Sequence, residues 1–438
     1  MVPQRDIPAG RDLTLDLVRV ACVLLVVLVH LLLAGVSLND EGIELEKTLE
    51  LQSWFNVVSF IFQIMPAFFL VGGFAAMTGW DSLVARRPQA SFADNASAFV
   101  RTRVIRLARP AVAVLAFFVL ALGAAALLGA PADLVDGVAV GVGSPLWFLA
   151  AYTIAQALAP WLILAHRSRP VLTLVTLIAI AAAFDALRWL TGNDYLGVPN
   201  VAFVWLSIHQ LGFWYRDGWF ANKRAWQLLA IVAAAYTACI GLVWAGPYSW
   251  NMLENQFPAT VPLVLLGVAQ GALLALAKRP LTALMRTRWA QGAVFLTGTR
   301  LMTIYLWHLP VIMAVVGVQL LMPQWLSDPG SARWWLERIP IYAVVLGAVY
   351  LLSLALVRLE SPPADAAQSR ILGLPVALLS VLAFITGPML IMVFDLSLVN
   401  AAIALIGCVI ALLLLSGRAP GARRQRRRRD AATARETA

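Results

Sequence analysis

The sequence predicts an all-α, polytopic integral membrane protein of about twelve transmembrane helices, and three observations carry that expectation. Hydrophobic residues fill 61% of the 438 positions, where a soluble domain has about 45–50%. Charged residues account for only 13%, about half the usual share. The apolar residues are also gathered into runs of the length a bilayer demands, roughly 20 residues per helical crossing. A soluble globule is excluded on these figures. Disorder is excluded too, because it needs low hydrophobicity, and three cysteines in 47.5 kDa cannot form a disulfide scaffold.

The apolar runs fall at 13–36, 53–78, 104–129, 146–165, 171–190, 198–215, 226–246, 259–277, 293–321, 335–357, 372–394 and 397–416. They read as helices because lipid cannot satisfy an open strand edge, and none alternates like a barrel strand. The connections bearing Arg86/Arg87/Arg101/Arg103, Arg167/Arg169, Arg216/Lys223/Arg224, Lys278/Arg279/Arg286/Arg288 and Arg358/Arg370 are basic. Those between them, SLNDEGIELEK, GAPADLVDGVAVGVG and GPYSWNMLENQFP, are acidic or neutral. The positive-inside rule therefore puts the basic loops in the cytoplasm and, with an even number of spans, both termini as well.

The resulting organisation is an N-terminal segment 1–12, a ten-helix domain 13–362, two further helices 372–416 and a basic tail 417–438. The run Arg423-Arg424-Gln425-Arg426 to Arg429 follows a span directly, so it reads as a contact for anionic lipid rather than nucleic acid. The first run is too long for a cleaved signal peptide and carries Arg19 and His30. Cys22, Cys239 and Cys408 sit inside spans as small packing residues.

Ionisable groups at membrane depth are costly and mark functional sites. The first span holds Asp16, Arg19 and His30. Arg19 and His30 are eleven positions apart, which places them on nearly one helix face about 16 Å apart along the axis. Asp16, three residues before Arg19, is spaced to pair with it. The ninth span holds Tyr305 and His308 on one face, with Arg300 two turns nearer the cytoplasm and Pro310 placed to bend the helix just beyond. Snorkelling arginine and interhelical hydrogen-bonding histidine are the plainer readings of both groups. In span six, His209, Gln210 and Arg216, with Trp205 a turn before, read as packing, and His166 falls in a basic loop.

Arg106 and Arg109, one turn apart ahead of Pro110, read as a cytoplasmic helix start, where guanidiniums and the helix N-terminus both favour phosphate; positive-inside anchoring is the alternative. No metal site is expected, because His30, His209 and His308 have no carboxylate or cysteine beside them at ligand spacing.

Taken in order, these residues resemble the membrane-bound acyltransferase family 3, polytopic enzymes that O-acylate sugars, glycolipids and some secondary metabolites. The family's first-helix motif is similar to Asp16, Arg19 and His30, and its second-helix motif to Phe68-Phe69-Leu70-Val71-Gly72-Gly73-Phe74, with Gly72 where the family has serine. Its Arg-x-x-Arg before proline resembles Arg106, Arg109 and Pro110, and its fourth-helix entry Trp147-Phe148-Leu149. Its Tyr-Leu-x-His-x-Pro resembles Tyr305, Leu306, His308 and Pro310, and its closing Glu-x-Pro Glu360-Ser361-Pro362.

The resemblance implies an O-acyltransferase of the plasma membrane. Its co-substrate would be acyl-CoA, with acetyl-CoA the commonest donor, and its acceptor a hydroxyl of an envelope glycan, a glycolipid or a glycosylated metabolite; no bound cofactor is expected. His30 is the expected general base, a task suited to histidine near neutral pH. His308 with Tyr305 would orient the acceptor or stabilise the oxyanion. Arg19, Arg106, Arg109 and Arg300 would hold donor phosphates, with Asp16 and Glu360 in support. A twelve-helix transporter or lipid flippase is the alternative, although paired half-repeats of the kind carriers often have are not visible.

Overall fold

A computed structural model describes residues 12–40, 42–360 and 373–416. Helix α1 (Leu13–Leu33) leads into a two-stranded antiparallel hairpin of β1 (Ala34–Asn39) and β2 (Gly42–Lys47), followed by α2 (Phe55–Phe62), α3 (Met65–Arg86) and α4 (Phe92–Leu127). Then come α5 (Ala132–Gly143), α6 (Trp147–Ser168), α7 (Pro170–Thr191), α8 (Asn200–Arg216) and α9 (Ala225–Ala245). The remaining elements are α10 (Pro262–Leu276), α11 (Lys278–Leu284), α12 (Arg288–Gly298), α13 (Leu301–Leu320), α14 (Ala332–Ala355), α15 (Val357–Glu360), α16 (Leu374–Phe394) and α17 (Leu398–Leu415).

Eleven spans among the described residues are long and apolar enough to cross a bilayer. The expected eighth is broken: α10 and α11 pass only together, across a 58° bend. Pro280 sits in the first turn of α11, where it offers no N–H and disfavours helical backbone in the residue before it. At the bend Lys278 pairs with Asp12, whose carboxylate also accepts the Thr14 backbone N–H at 3.1 Å and so caps α1.

Several expected boundaries move, each for a local reason. The segment SLNDEGIELEK is largely the hairpin rather than a loop, and residues 34–36, expected to end the first span, begin β1. GAPADLVDGVAVGVG contains α5. The second span splits at Gln63, 2% exposed, whose amide donates to the Met252 carbonyl and to Gln256 Oε1, both at 2.9 Å. Its own backbone carbonyl accepts from Gln270 Nε2 at 2.6 Å, so the groups freed at the break are satisfied within the protein, as the membrane interior requires. The ninth span splits between Gly298 and Leu301, with Arg300 at the N-cap position of α13, which then runs unbroken through Pro310.

The largest displacement is at α4, which begins at Phe92 rather than 104; the Ser91 hydroxyl caps it by accepting from Asp94 N at 3.1 Å. His166 lies in α6 and is buried, with Asp217 at 3.1 Å and Gln210 at 3.2 Å, so it is not a loop residue. The three cysteines are free and buried. Ser361, Pro362 and the Arg-rich tail lie outside the described residues.

One close crossing, of α3 on α8, locks the bundle beside the site. A Cβ at Gly73 of α3 would lie 1.9 Å from the His209 carbonyl oxygen, and one at Gly212 of α8 2.0 Å from that of Leu70. These glycines let two backbones touch, the way helices pack tightly in lipid. Beside them Phe69 stacks on Trp205 at 4.4 Å, and Trp205 on Trp147 at 5.2 Å.

Candidate active site

Helix α1 carries both ends of the site, and α3, α4, α6, α13 and the α5–α6 turn close around it. Along α1 the lining residues divide into two cavities. The first, of about 80 Å³, is walled by Arg19, Arg103, Arg106, Tyr152, Gln156 and Glu360, among others. The second, of about 700 Å³, holds His30 and is otherwise mostly apolar. Val26, Met65 and Tyr305 line both, so these three side chains form a partition.

Three guanidiniums face the smaller chamber. Arg19 Nε is buried without a hydrogen-bond partner. Asp16 lies within electrostatic reach of Arg106, as does Glu360. Arg106 is exposed and lines the chamber. Glu360 accepts the Thr303 backbone N–H and lies near Arg106 and Arg300, and burial pushes its carboxyl above the ordinary glutamate value. An anion entering here meets more positive than negative charge, in guanidiniums shaped for bidentate oxyanion contact.

Arg109 and Arg300 do not join this group. Arg109 donates to the Arg358 carbonyl at 2.8 Å and does not line the chamber. It lies about 120° round α4 from Arg103. Arg300 donates to the Leu296 carbonyl at 3.0 Å and lies 5.0 Å from the Tyr350 ring, behind the chamber residues Thr299 and Leu301. Neither Arg106 nor Arg109 is at a helix start, because α4 begins well before them, at Phe92. Arg103, read from the sequence only as loop charge, stands where Arg109 was expected.

The two histidines read as separate groups in the sequence meet in space. The His30 and His308 rings are 4.9 Å apart in an edge-to-face arrangement. His30 Nδ1 is 2.8 Å from the Val26 carbonyl oxygen, and His308 Nδ1 is 2.5 Å from that of Tyr305. A carbonyl only accepts, so each Nδ1 carries the proton and each Nε2 presents a lone pair. His308 Nε2 is buried without a partner; His30 lines the larger cavity, where a proton donor can reach it.

Aromatic residues finish the partition. Tyr305 donates its hydroxyl to the Pro145 carbonyl at 2.8 Å, and its ring lies 4.8 Å from Phe148, which stacks on Tyr152 at 5.1 Å. Gly72 makes room for this stack, since a Cβ there would lie 2.9 Å from the Tyr152 ring. His209 touches the site only through Gln156, whose amide donates to its Nε2 at 3.1 Å.

A bundle of membrane helices enclosing a cationic chamber beside a histidine-bearing cavity describes a polytopic membrane enzyme. The family profile described as an acyltransferase domain matches residues 12–358. The chain belongs to the membrane-bound acyltransferase family 3 and is a membrane acyltransferase. Comparison with curated proteins and with solved structures finds no match. The matched segment ends before α16 and α17.

Proposed function

We propose that this chain is an O-acyltransferase that takes an acyl group, acetyl in the simplest case, from a CoA thioester and gives it to a hydroxyl held in the larger cavity. One observation carries the proposal: a chamber of three arginines and a cavity with a proton-accepting histidine share a wall of only Val26, Met65 and Tyr305. The phosphates of CoA are the donor feature that Arg19, Arg103 and Arg106 suit.

His30 Nε2 takes the proton of the acceptor hydroxyl as its oxygen attacks the thioester carbonyl. The C–S bond then breaks, and the proton held on His30 passes to the leaving CoA thiolate. The acyl end has to pass the partition. The Tyr305 hydroxyl is engaged with Pro145, so it reaches the developing oxyanion only by leaving that bond, and the same movement opens the wall. His308, packed on His30, holds that ring in place.

The positive-inside rule puts the arginine chamber toward the cytosol, where acyl-CoA is made, in the plasma membrane. Acceptors that fit are a hydroxyl of an envelope glycan, a glycolipid or a glycosylated metabolite, and the basic tail would rest on anionic lipid. The test is release of free CoA from labelled acetyl-CoA by the purified protein in nanodiscs with membrane lipid extract. Release with label in an ester product supports the proposal; neither CoA release nor CoA binding refutes it.

A further inference from the structure

Part of the larger cavity is built by helices outside the family segment. Ile391, Met392, Asp395 and Leu396, at the end of α16 and in the turn before α17, line it together with His30. Helix α16 reaches that position because the C-terminal pair is docked hard against the bundle. Cys408 Sγ contacts the Ala108 carbonyl at 3.2 Å, and Arg101 Nε donates to that of Leu415 at 2.9 Å. Within the pair, a Cβ at Gly387 would lie 2.2 Å from Ala404 Cα.

The turn itself holds an unusual residue in place. Asp395 is the one non-glycine residue with positive φ among those described, at φ 58° and ψ 170°. Almost only glycine adopts that backbone region, and exceptions gather at functional sites. Asn400 Nδ2 pins the turn by donating to the Asp395 carbonyl at 2.8 Å and to that of Phe394 at 3.3 Å. Leu396 is buried against Gly143, where a Cβ would come within 2.5 Å of Leu396 Cβ. A non-glycine residue is thus kept at the wall of the cavity against its backbone preference.

The cavity around it is large and two-natured. At about 700 Å³ it falls within the roughly 300–1,000 Å³ of small-molecule sites. Leu33, Val36, Met313, Ile391 and Leu396 give it apolar walls, and Glu46, Lys47, Glu50, Gln63 and Asp395 are among its polar groups. A purely polar sugar would leave most of that wall against water, whereas a molecule with an apolar body and a hydroxylated head covers it.

Resting on the acyl-transfer reading above, we infer that the acceptor is a membrane amphiphile, a hydroxylated lipid or lipid-linked sugar. Its apolar part packs on the α16–α17 turn, and its polar head is oriented by Asp395 toward His30.

The test uses the full chain in nanodiscs and an octyl β-D-glucoside carrying a diazirine at the end of its alkyl chain as the probe. After irradiation, adducts are mapped by peptide mass spectrometry. They are expected at 391–396 and 26–36, suppressed by unlabelled octyl glucoside and not by glucose at equal concentration. Asp395→Gly relieves the backbone and so keeps the fold. It raises the concentration of octyl glucoside needed for half suppression about tenfold, the worth of one hydrogen bond to a charged group.

Adducts confined to the outward faces of α7 and α9, or glucose competing as well as octyl glucoside, overturn the amphiphile. An unchanged midpoint in Asp395→Gly overturns the role of the turn. Release of CoA from acetyl-CoA is followed in the same nanodiscs. Mapped binding without any release makes the cavity a lipid site and overturns its role for the acceptor, while release without mapped binding leaves acyl transfer standing and removes this inference alone.

Discussion

Replacing Arg103 and Arg109 one at a time by alanine separates the geometry of this site from its motif. Arg103 lines the chamber, with its guanidinium carbon 4.8 Å from the Phe99 ring centre, whereas Arg109 is spent on the Arg358 carbonyl at 2.8 Å. A hydrogen bond between charged groups is worth about 1.5–3 kcal/mol. At 1.4 kcal/mol per tenfold, Arg103→Ala therefore weakens CoA binding by about 10- to 150-fold. Arg109→Ala changes it by less than about threefold, because Arg109 does not line the chamber. The assay is titration calorimetry of CoA into the protein in nanodiscs at two salt concentrations. The loss in Arg103→Ala should shrink only slightly with salt, because an enclosed pair is screened less than an exposed one. Equal losses for the two variants, or wild-type binding by Arg103→Ala, would refute the placement of the donor.

Three further outcomes follow from distances around the site. Gly79→Ala puts a Cβ 2.6 Å from the Arg103 guanidinium, so the head group must swing aside, and CoA affinity falls several-fold with little change in Tm, read by the same titration. Gly73→Ala has no such escape, since its Cβ meets the His209 carbonyl oxygen at 1.9 Å. It should destabilise the bundle by about 1–3 kcal/mol or more, seen as a lowered Tm or loss of monodisperse protein. Glu360 opposes anion binding while ionised, and its carboxyl is raised above the ordinary glutamate value by burial. CoA affinity therefore rises as pH falls through that raised value. Glu360→Gln flattens this part of the profile at the tight-binding level, measured as the difference between variant and wild type so that the titration of CoA itself cancels.

The spans, the family and the histidine of α1 were legible because they rest on local signals: apolar run length, and Asp16, Arg19 and His30 at fixed spacing on one helix. What escaped the sequence depends on where helices begin and what they meet. Placing the start of α4 at 104 turned Arg103 into loop charge and gave Arg106 and Arg109 a helix N-terminus they do not have. The pair Ser91 and Asp94, a capping signature, was the signal that could have moved that start. The break at Gln63 left no trace in hydropathy, because the surrounding residues are apolar and the partners Met252, Gln256 and Gln270 are remote in sequence. The meeting of His30 and His308 is likewise a property of α1 against α13, which no single-helix pattern contains. The role of α16 and α17 as cavity wall was invisible for the same reason.

The central claim is that His30 moves the acceptor proton beside a donor held by the arginine chamber, and His30→Ala tests it most directly when binding and transfer are measured on one preparation. CoA affinity should stay within about twofold of wild type, because His30 does not line the arginine chamber. Transfer from acetyl-CoA should fall by about 10²- to 10⁴-fold, the usual share of a general base. Transfer at the wild-type rate in that variant would contradict the account.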